Sequence, residues 1–283
     1  FPTQVKNKLE YYKAKVSMQH CHPNYFNEIY LPWISGKKEV ERLWEGVHEF
    51  KPNIRKASFT EAFKGEHPKA IVKNMKNLKE RFDDSWKNRK VFESQLALNE
   101  EELSNYPFHW HCFFEAVGSL KKEPDSLLDL GCGSAVFSVL CKRHLPNTKY
   151  RGLDYAQEAI DVASARWEAD LQVRDYRELT ESDLSFDTLH AGAMLDVLPN
   201  ADEALKVIAE YGFKNLILGR MKLVEGESKT ETYEAYDLIT TYAFYHNMEN
   251  VHSILTRNGY DYKVLGFPDN ATIIASKEGL RLD

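Results

Sequence analysis

The chain has 283 residues, 43% hydrophobic and 12% aromatic, with a net charge of −6. Such a composition can bury a core and excludes a disordered chain. No apolar run approaches the roughly 18 residues that a membrane-crossing helix needs. The four cysteines, Cys21, Cys112, Cys132 and Cys141, show no CxxC spacing, which points to a reducing, cytoplasmic setting.

Charge is uneven along the chain. Basic residues are in excess over positions 1–122 and acidic residues over the remainder. The split suggests two regions with different roles and argues against a polyanion-binding surface on the second. In the first region, Pro23, Pro32, Gly36, Pro52, Gly65 and Pro68 break the chain into short pieces. Lys69–Phe82 then places Ile71, Met75, Leu78 and Phe82 on one face, the spacing of an amphipathic helix. Residues 1–104 are accordingly read as a helical extension that covers the substrate.

From about Asn105 the pattern alternates. Ser126–Leu130 is a strand candidate and Ser134–His144 a helix. Lys149–Asp154 is a second strand, Ala156–Trp167 a helix, and Asp170–Val173 a third strand. Asp187–Ala193 is a fourth, Ala201–Tyr211 a helix, and Asn215–Gly219 a fifth. A long insertion, Met221 to Asn247, precedes the helix Met248–Asn258 and the strands Tyr262–Phe267 and Thr272–Ser276. Strands alternating with helices predict a parallel sheet covered on both faces. The last two strands are joined by only about four residues, too few for a crossover, so they must pair antiparallel.

Chemistry-bearing residues follow the strands in order. Asp129-Leu130-Gly131-Cys132-Gly133-Ser134-Ala135 leaves the first strand and opens a helix, the place where glycine lets a ligand approach main chain. Asp154 ends the second strand, at the position where a carboxylate accepts ribose hydroxyls, and Tyr155 beside it can cover adenine. Asp175, next to Tyr176, follows the third strand.

The order DLGCGSA, GLDY, VRDY and FDTLHAGAMLDVL resembles the class I S-adenosylmethionine-dependent methyltransferases, over residues from about 105 to 280. The resemblance implies a doubly wound seven-stranded sheet with an antiparallel last strand, residues 105–283 forming the cofactor-binding domain. It implies S-adenosylmethionine as cofactor. Gly131 and Gly133 would meet its methionine part, with Cys132 between them offering main chain, and Asp129 would orient its ammonium. Asp154 would hold the ribose, Asp175 and the Tyr176 amide the adenine. Ala191 and Gly192 would lie near the sulfonium. The family's third glycine is replaced by Ala135.

The acceptor is expected beyond the carboxyl ends of the fourth and fifth strands. Many relatives carry a histidine where this chain has Val197; a hydroxyl acceptor would need a base from elsewhere, whereas an amine would need only to arrive deprotonated. His246, at the end of the aromatic insertion, is the first choice and Asp196 the second. The insertion itself reads as a lid, and Arg220 is placed to bind an acidic acceptor or to pair with a local carboxylate. The leading expectation is methyl transfer to a small molecule, at a hydroxyl of a sugar or other metabolite. RNA methylation using the basic stretch 51–90, and a non-catalytic binding protein that retains the fold, are the alternatives. Neither His20-Cys21-His22 nor His109-x-His111 has a second cluster at ligand spacing, so no metal is expected.

Overall fold

The computed structural model describes residues 85–281. The expected helix at Lys69–Phe82, the His20-Cys21-His22 group and most of the basic stretch 51–90 lie outside them. Packing divides the chain into two units, Phe1–Val72 with Asn105–Phe108, and Lys73–Ser104 with His109–Asp283. The second unit carries the sheet.

Among the described residues nine strands form it: β1 (Ser126–Leu130), β2 (Lys149–Asp154), β3 (Leu171–Val173), β4 (Thr188–Ala191), β5 (Asn215–Val224), β6 (Lys229–Ala235), β7 (Ile239–Asn247), β8 (Asp261–Phe267) and β9 (Asn270–Ser276). The first five run parallel in the order β3-β2-β1-β4-β5. β9 lies antiparallel to both β5 and β8. Without β6 and β7 this is the seven-stranded sheet expected, its antiparallel strand being the last. The strand order reverses between β1 and β4, which makes the carboxyl edge there a ligand-binding crevice.

Both faces are covered, and β1 and β4 are buried almost throughout. α2 (Phe108–Ser119) and α3 (Val136–His144) pack on the face that presents Leu127, Ile217 and Ile274. α6 (Ala201–Glu210) and α7 (Met248–Arg257) cover the face of Leu128, Leu130, Leu189, Leu216 and Ile273. α4 (Gln157–Arg166) follows β2, and α5 (Glu181–Leu184) is a single turn closed by a Thr180/Asp183 capping box. α1 (Arg89–Glu102), from the region read as an N-terminal extension, packs on α4 through Phe92 against Ala156, Ala159 and Val162.

The insertion read as a lid is built differently. It is a β-hairpin, β6 antiparallel to β7 from Lys229↔Tyr245 to Ala235↔Ile239. β5 runs on past its expected end and pairs Lys222–Val224 with Tyr245–Asn247, in parallel. The aromatic residues of the insertion therefore sit on a sheet extension. Val91 and Trp86 at the start of α1 pack against Ala235, Ile239, Tyr233 and Tyr236 of the hairpin, and Trp86 Nε1 donates to Thr241 Oγ1 at 2.9 Å.

Candidate functional site

The glycine turn is left-handed at three alternate positions: Gly131 (φ 69°), Gly133 (φ 52°) and Ala135 (φ 53°). Ala135 thus keeps the backbone that the missing third glycine would adopt, and as a side chain with a Cβ it carries the strain of that region. Gly131 N–H and Cys132 N–H both donate to the Leu153 carbonyl, at 2.8 and 3.0 Å, which pins the turn to the end of β2. A Cβ on Gly133 would lie 2.4 Å from Gln95 Oε1, and one on Gly131 3.0 Å from Met194 Cβ. The faces these glycines bare are thus met by two flexible side chains. Gln95 of α1 also accepts from Ser134 N–H at 2.9 Å, and Ser134 Oγ donates to Asn99 Oδ1 at 2.7 Å.

Asp154 sits against this turn. Its carboxylate accepts the N–H of Gly133 and of Ala156, each at 3.0 Å, and the Tyr155 N–H adds a third backbone bond. A carboxylate has about four lone-pair sites, so one acceptor position remains for a ligand hydroxyl. Burial pushes the carboxyl up to about 6; the three N–H groups oppose the rise and the Asp129 charge adds to it. Tyr155 is partly exposed beside it, 36% accessible.

Asp129 is held inside the sheet. It accepts the Tyr150 hydroxyl at 2.7 Å and faces His190 Nδ1 at 2.7 Å. Gly152 makes the first contact possible: a Cβ there would lie 3.0 Å from both Tyr150 Oη and Cys132 Sγ. Asp129 is only 1% exposed, with one oxygen on Tyr150 of β2 and the other facing His190 of β4. Cys132 is buried and its thiol is pushed well up by desolvation; its main chain is engaged in the turn, the N–H on Leu153 and the carbonyl accepting the Ala135 N–H at 2.8 Å.

Asp175 follows β3 as expected but is closed by Arg177, whose Nε, Nη2 and backbone N–H all donate to it at 2.7–2.9 Å. Partial burial raises this carboxyl, but the Arg177 bonds and charge outweigh it and hold it below the ordinary range. The Tyr176 carbonyl accepts the Tyr211 hydroxyl at 2.8 Å. At the end of β4, Ala191 is fully buried, and Gly192 lies against Gly219 of β5: a Cβ on Gly219 would be 3.0 Å from the Gly192 carbonyl oxygen.

The two expected bases separate. His246 is fully buried; its Nδ1 faces Asp202 Oδ1 at 2.9 Å and its Nε2 the Leu195 carbonyl at 3.3 Å. Acceptors stand at both nitrogens, so the imidazole is bonded within the fold where a lid base was expected. The reason is the hairpin: β7 runs beneath the β4–α6 loop and carries His246 into it. Asp196 is nearly as deeply buried, 2% exposed, but is bonded differently. Its Oδ2 accepts from Lys222 Nζ at 3.0 Å, while Oδ1 is buried with no hydrogen-bond partner among the described residues. An orphaned buried carboxylate oxygen is costly and calls for a reason.

No group of three or more His, Cys, Asp or Glu suited to a metal occurs among the described residues, and no helix there is long and apolar enough to cross a membrane. A cavity of about 350 Å³ lies at the opposite edge, lined by Asp125, Ser126, Phe186, Asp187 and Lys214. It opens at the amino ends of β1, β4 and β5, away from the glycine turn. Sequence reasoning missed Gln95, Met194, His190 and Lys222, because each touches the site through contacts far apart in the chain.

A family model described as a methyltransferase domain matches residues 127–211. The release factor glutamine methyltransferase of Rhodopirellula baltica is 28% identical over 116 residues, 39% of this chain and 38% of that protein. The match thus spans well under half of that relative's length. Human N-acetylserotonin methyltransferase, solved in complex with SAM, aligns at a TM-score of 0.50 and 19% identity over 70% of this chain and 59% of that one. CalS10, an amino pentose methyltransferase from Micromonospora echinaspora, aligns at 0.47 and 12% identity over 64% of this chain and 96% of its own.

Proposed function

We infer, from the membership of this sheet domain in the class I S-adenosylmethionine-dependent methyltransferase family, that the chain is an enzyme transferring a methyl group to a hydroxyl of a small molecule such as a sugar. The observation that carries the cofactor half is the bond between Asp154 and the Gly133 N–H. It brings a carboxylate with one acceptor position left beside left-handed main chain, faced by the flexible side chains of Gln95 and Met194, at the point where strand order reverses. That donor and acceptor set fits a ribose next to an amino-acid moiety. Gly131, Cys132 and Gly133 would meet the methionine part through main chain. Asp154 would take a ribose hydroxyl. Tyr155, Asp175 and the Tyr176 amide would border the adenine, Arg177 releasing part of its hold on Asp175. When bound, S-adenosylmethionine supplies an electrophilic methyl group on a sulfonium.

The residues of the chain then have two tasks. Ala191, Gly192 and Gly219 keep the carboxyl ends of β4 and β5 close and free of side chains, so that an acceptor can approach. Asp196 Oδ1 takes the acceptor's hydroxyl proton, while Lys222 fixes the other oxygen. Positioning and exclusion of water supply the rest.

Calorimetry with S-adenosylhomocysteine, followed by label transfer from S-adenosylmethionine to a panel of sugars and hydroxylated metabolites, tests the reading. Micromolar binding and transfer to oxygen are expected. Absence of binding at hundred-micromolar concentration rejects it, and transfer to RNA in place of the panel would move the activity to the basic stretch 51–90.

A further inference from the structure

β5 carries a bulge at the carboxyl edge. Leu218 pairs with Ile273 and Met221 with Ala271, so β5 spends three steps where β9 spends two. Gly219 fills one bulge position, packed on the Gly192 main chain with no space for a side chain. Arg220 fills the other with a φ of 58°, a conformation that glycine adopts freely and arginine only under strain. Its side chain is exposed. Among the described residues its guanidinium makes no hydrogen bond or ion pair, and neither does the hydroxyl of the half-buried Tyr233.

The two donors flank Lys222: Arg220 stands two residues before it on β5, and the Tyr233 ring lies beside its ammonium. The Arg220 charge acts on Tyr233, Tyr236 and His109, and the Asp196 charge acts on both tyrosines. Lys222 Nζ, which holds Asp196, lies 5.9 Å from the Tyr233 ring. Burial pushes the Tyr233 hydroxyl up to about 12, so it stays a donor at neutral pH. Burial and the Arg220 charge hold His109 down at about 3, so it adds no second cation.

We propose that Arg220 and Tyr233 form an oxyanion subsite beside Asp196, so that the acceptor carries a carboxylate or phosphate in addition to the hydroxyl it methylates. The proposal rests on the methyl-transfer reading for the role of Asp196 but not for the subsite itself. A guanidinium fork and a phenol match an oxyanion with directional donors, and the bulge sets the arginine at the carboxyl edge of the parallel part of β5.

The test uses acetate and inorganic phosphate as probes, titrated separately into the full chain loaded with S-adenosylhomocysteine. Each is followed by the Arg220 Nε–H resonance, assigned by its loss in Arg220→Lys. Saturable shifts at millimolar concentration are expected, and the tighter of the two probes identifies carboxylate or phosphate. Arg220→Gly suits the left-handed backbone and should fold at least as well. By calorimetry it should bind both probes about tenfold more weakly, with S-adenosylhomocysteine affinity unchanged within twofold. Tyr233→Phe should weaken them a few-fold. Linear, non-saturating shifts, or probe binding unaltered in Arg220→Gly, overturn the subsite. Failure to bind S-adenosylhomocysteine instead rejects the methyl-transfer reading, and the same titration on the unloaded chain still decides the subsite.

Discussion

The Gly133 backbone N–H donates to Asp154 Oδ2 at 3.0 Å, across 21 residues of chain. The bond joins the glycine turn to the end of β2 and places the acid and the main chain in one crevice. Because Asp154 is buried, its protonation state reports on whatever binds there.

A ribose hydroxyl donates best to the ionised carboxylate, so a bound ligand should lower the Asp154 pKa from its free value of about 6. Affinity for S-adenosylhomocysteine is therefore expected to be level at pH 7–8 and to fall by up to about tenfold per unit below about pH 6. Calorimetry between pH 5 and 8 measures it; a level profile would show that Asp154 does not meet the ligand. The stability of the free protein should move the other way. The folded-state pKa lies above the reference of 3.8, so the native state holds the proton longer. The contribution of Asp154 to stability should fall by roughly 3 kcal/mol as pH rises from about 4 to about 6, then stay constant. Urea titrations of wild type and Asp154→Asn across that range give the difference.

Gly133→Ala and Gly118→Ala form a matched pair. At Gly133 the new methyl meets the Gln95 carboxamide on a left-handed backbone. We expect a loss of about 1–3 kcal/mol in stability and weaker cofactor binding, since the Gln95 to Ser134 bond is displaced. At Gly118, inside α2, nothing lies within 4 Å of the added carbon. There the same substitution should stabilise by about 0.5–1 kcal/mol and leave binding alone. Thermal melts and calorimetry on both variants separate the effects.

Asp196→Asn removes the oxygen assigned to the acceptor's proton while keeping the side chain's size. Turnover is expected to fall by about a hundred- to ten-thousand-fold, with S-adenosylhomocysteine affinity within a few-fold of wild type. Turnover that survives the change would exclude a base at this position and favour an amine acceptor.

His246→Ala should act on stability. It strips Asp202 of its His246 partner and opens a space beneath the β4–α6 loop. Partial burial raises the Asp202 carboxyl, yet the His246, Ser228 and Asn250 bonds outweigh that and hold it low, so losing one of them is costly. A loss of about 2–4 kcal/mol is expected, with turnover per folded molecule close to wild type. Denaturant titration combined with active-site counting by bound S-adenosylhomocysteine checks both halves. A large fall in turnover with unchanged stability would restore His246 as a catalytic residue.

Local chemistry by itself determines much of this protein. Lys149–Asp154 is legible as a strand to the residue, because its apolar end precedes an acid and a helix. The glycine turn is legible because only that composition leaves a parallel strand so tightly. The short link before β9, about four residues on the sequence reading and two in the fold, forces an antiparallel pair. What local sequence does not contain is the partner of each side chain. Residues 229–247 alternate polar and aromatic side chains too weakly to separate a strand from a loop, and their strand character is decided by pairing with the extended β5. His246 is bonded within the fold because Asp202, 44 residues earlier, meets it; Asp196 keeps an unbonded oxygen because Lys222, 26 residues later, reaches only one side of it. A period of two or 3.6 residues fixes which face a side chain is on. What stands across that face, and so whether an acid or a histidine is spent on the fold or left for chemistry, is set by contacts between distant segments that only the folded chain makes.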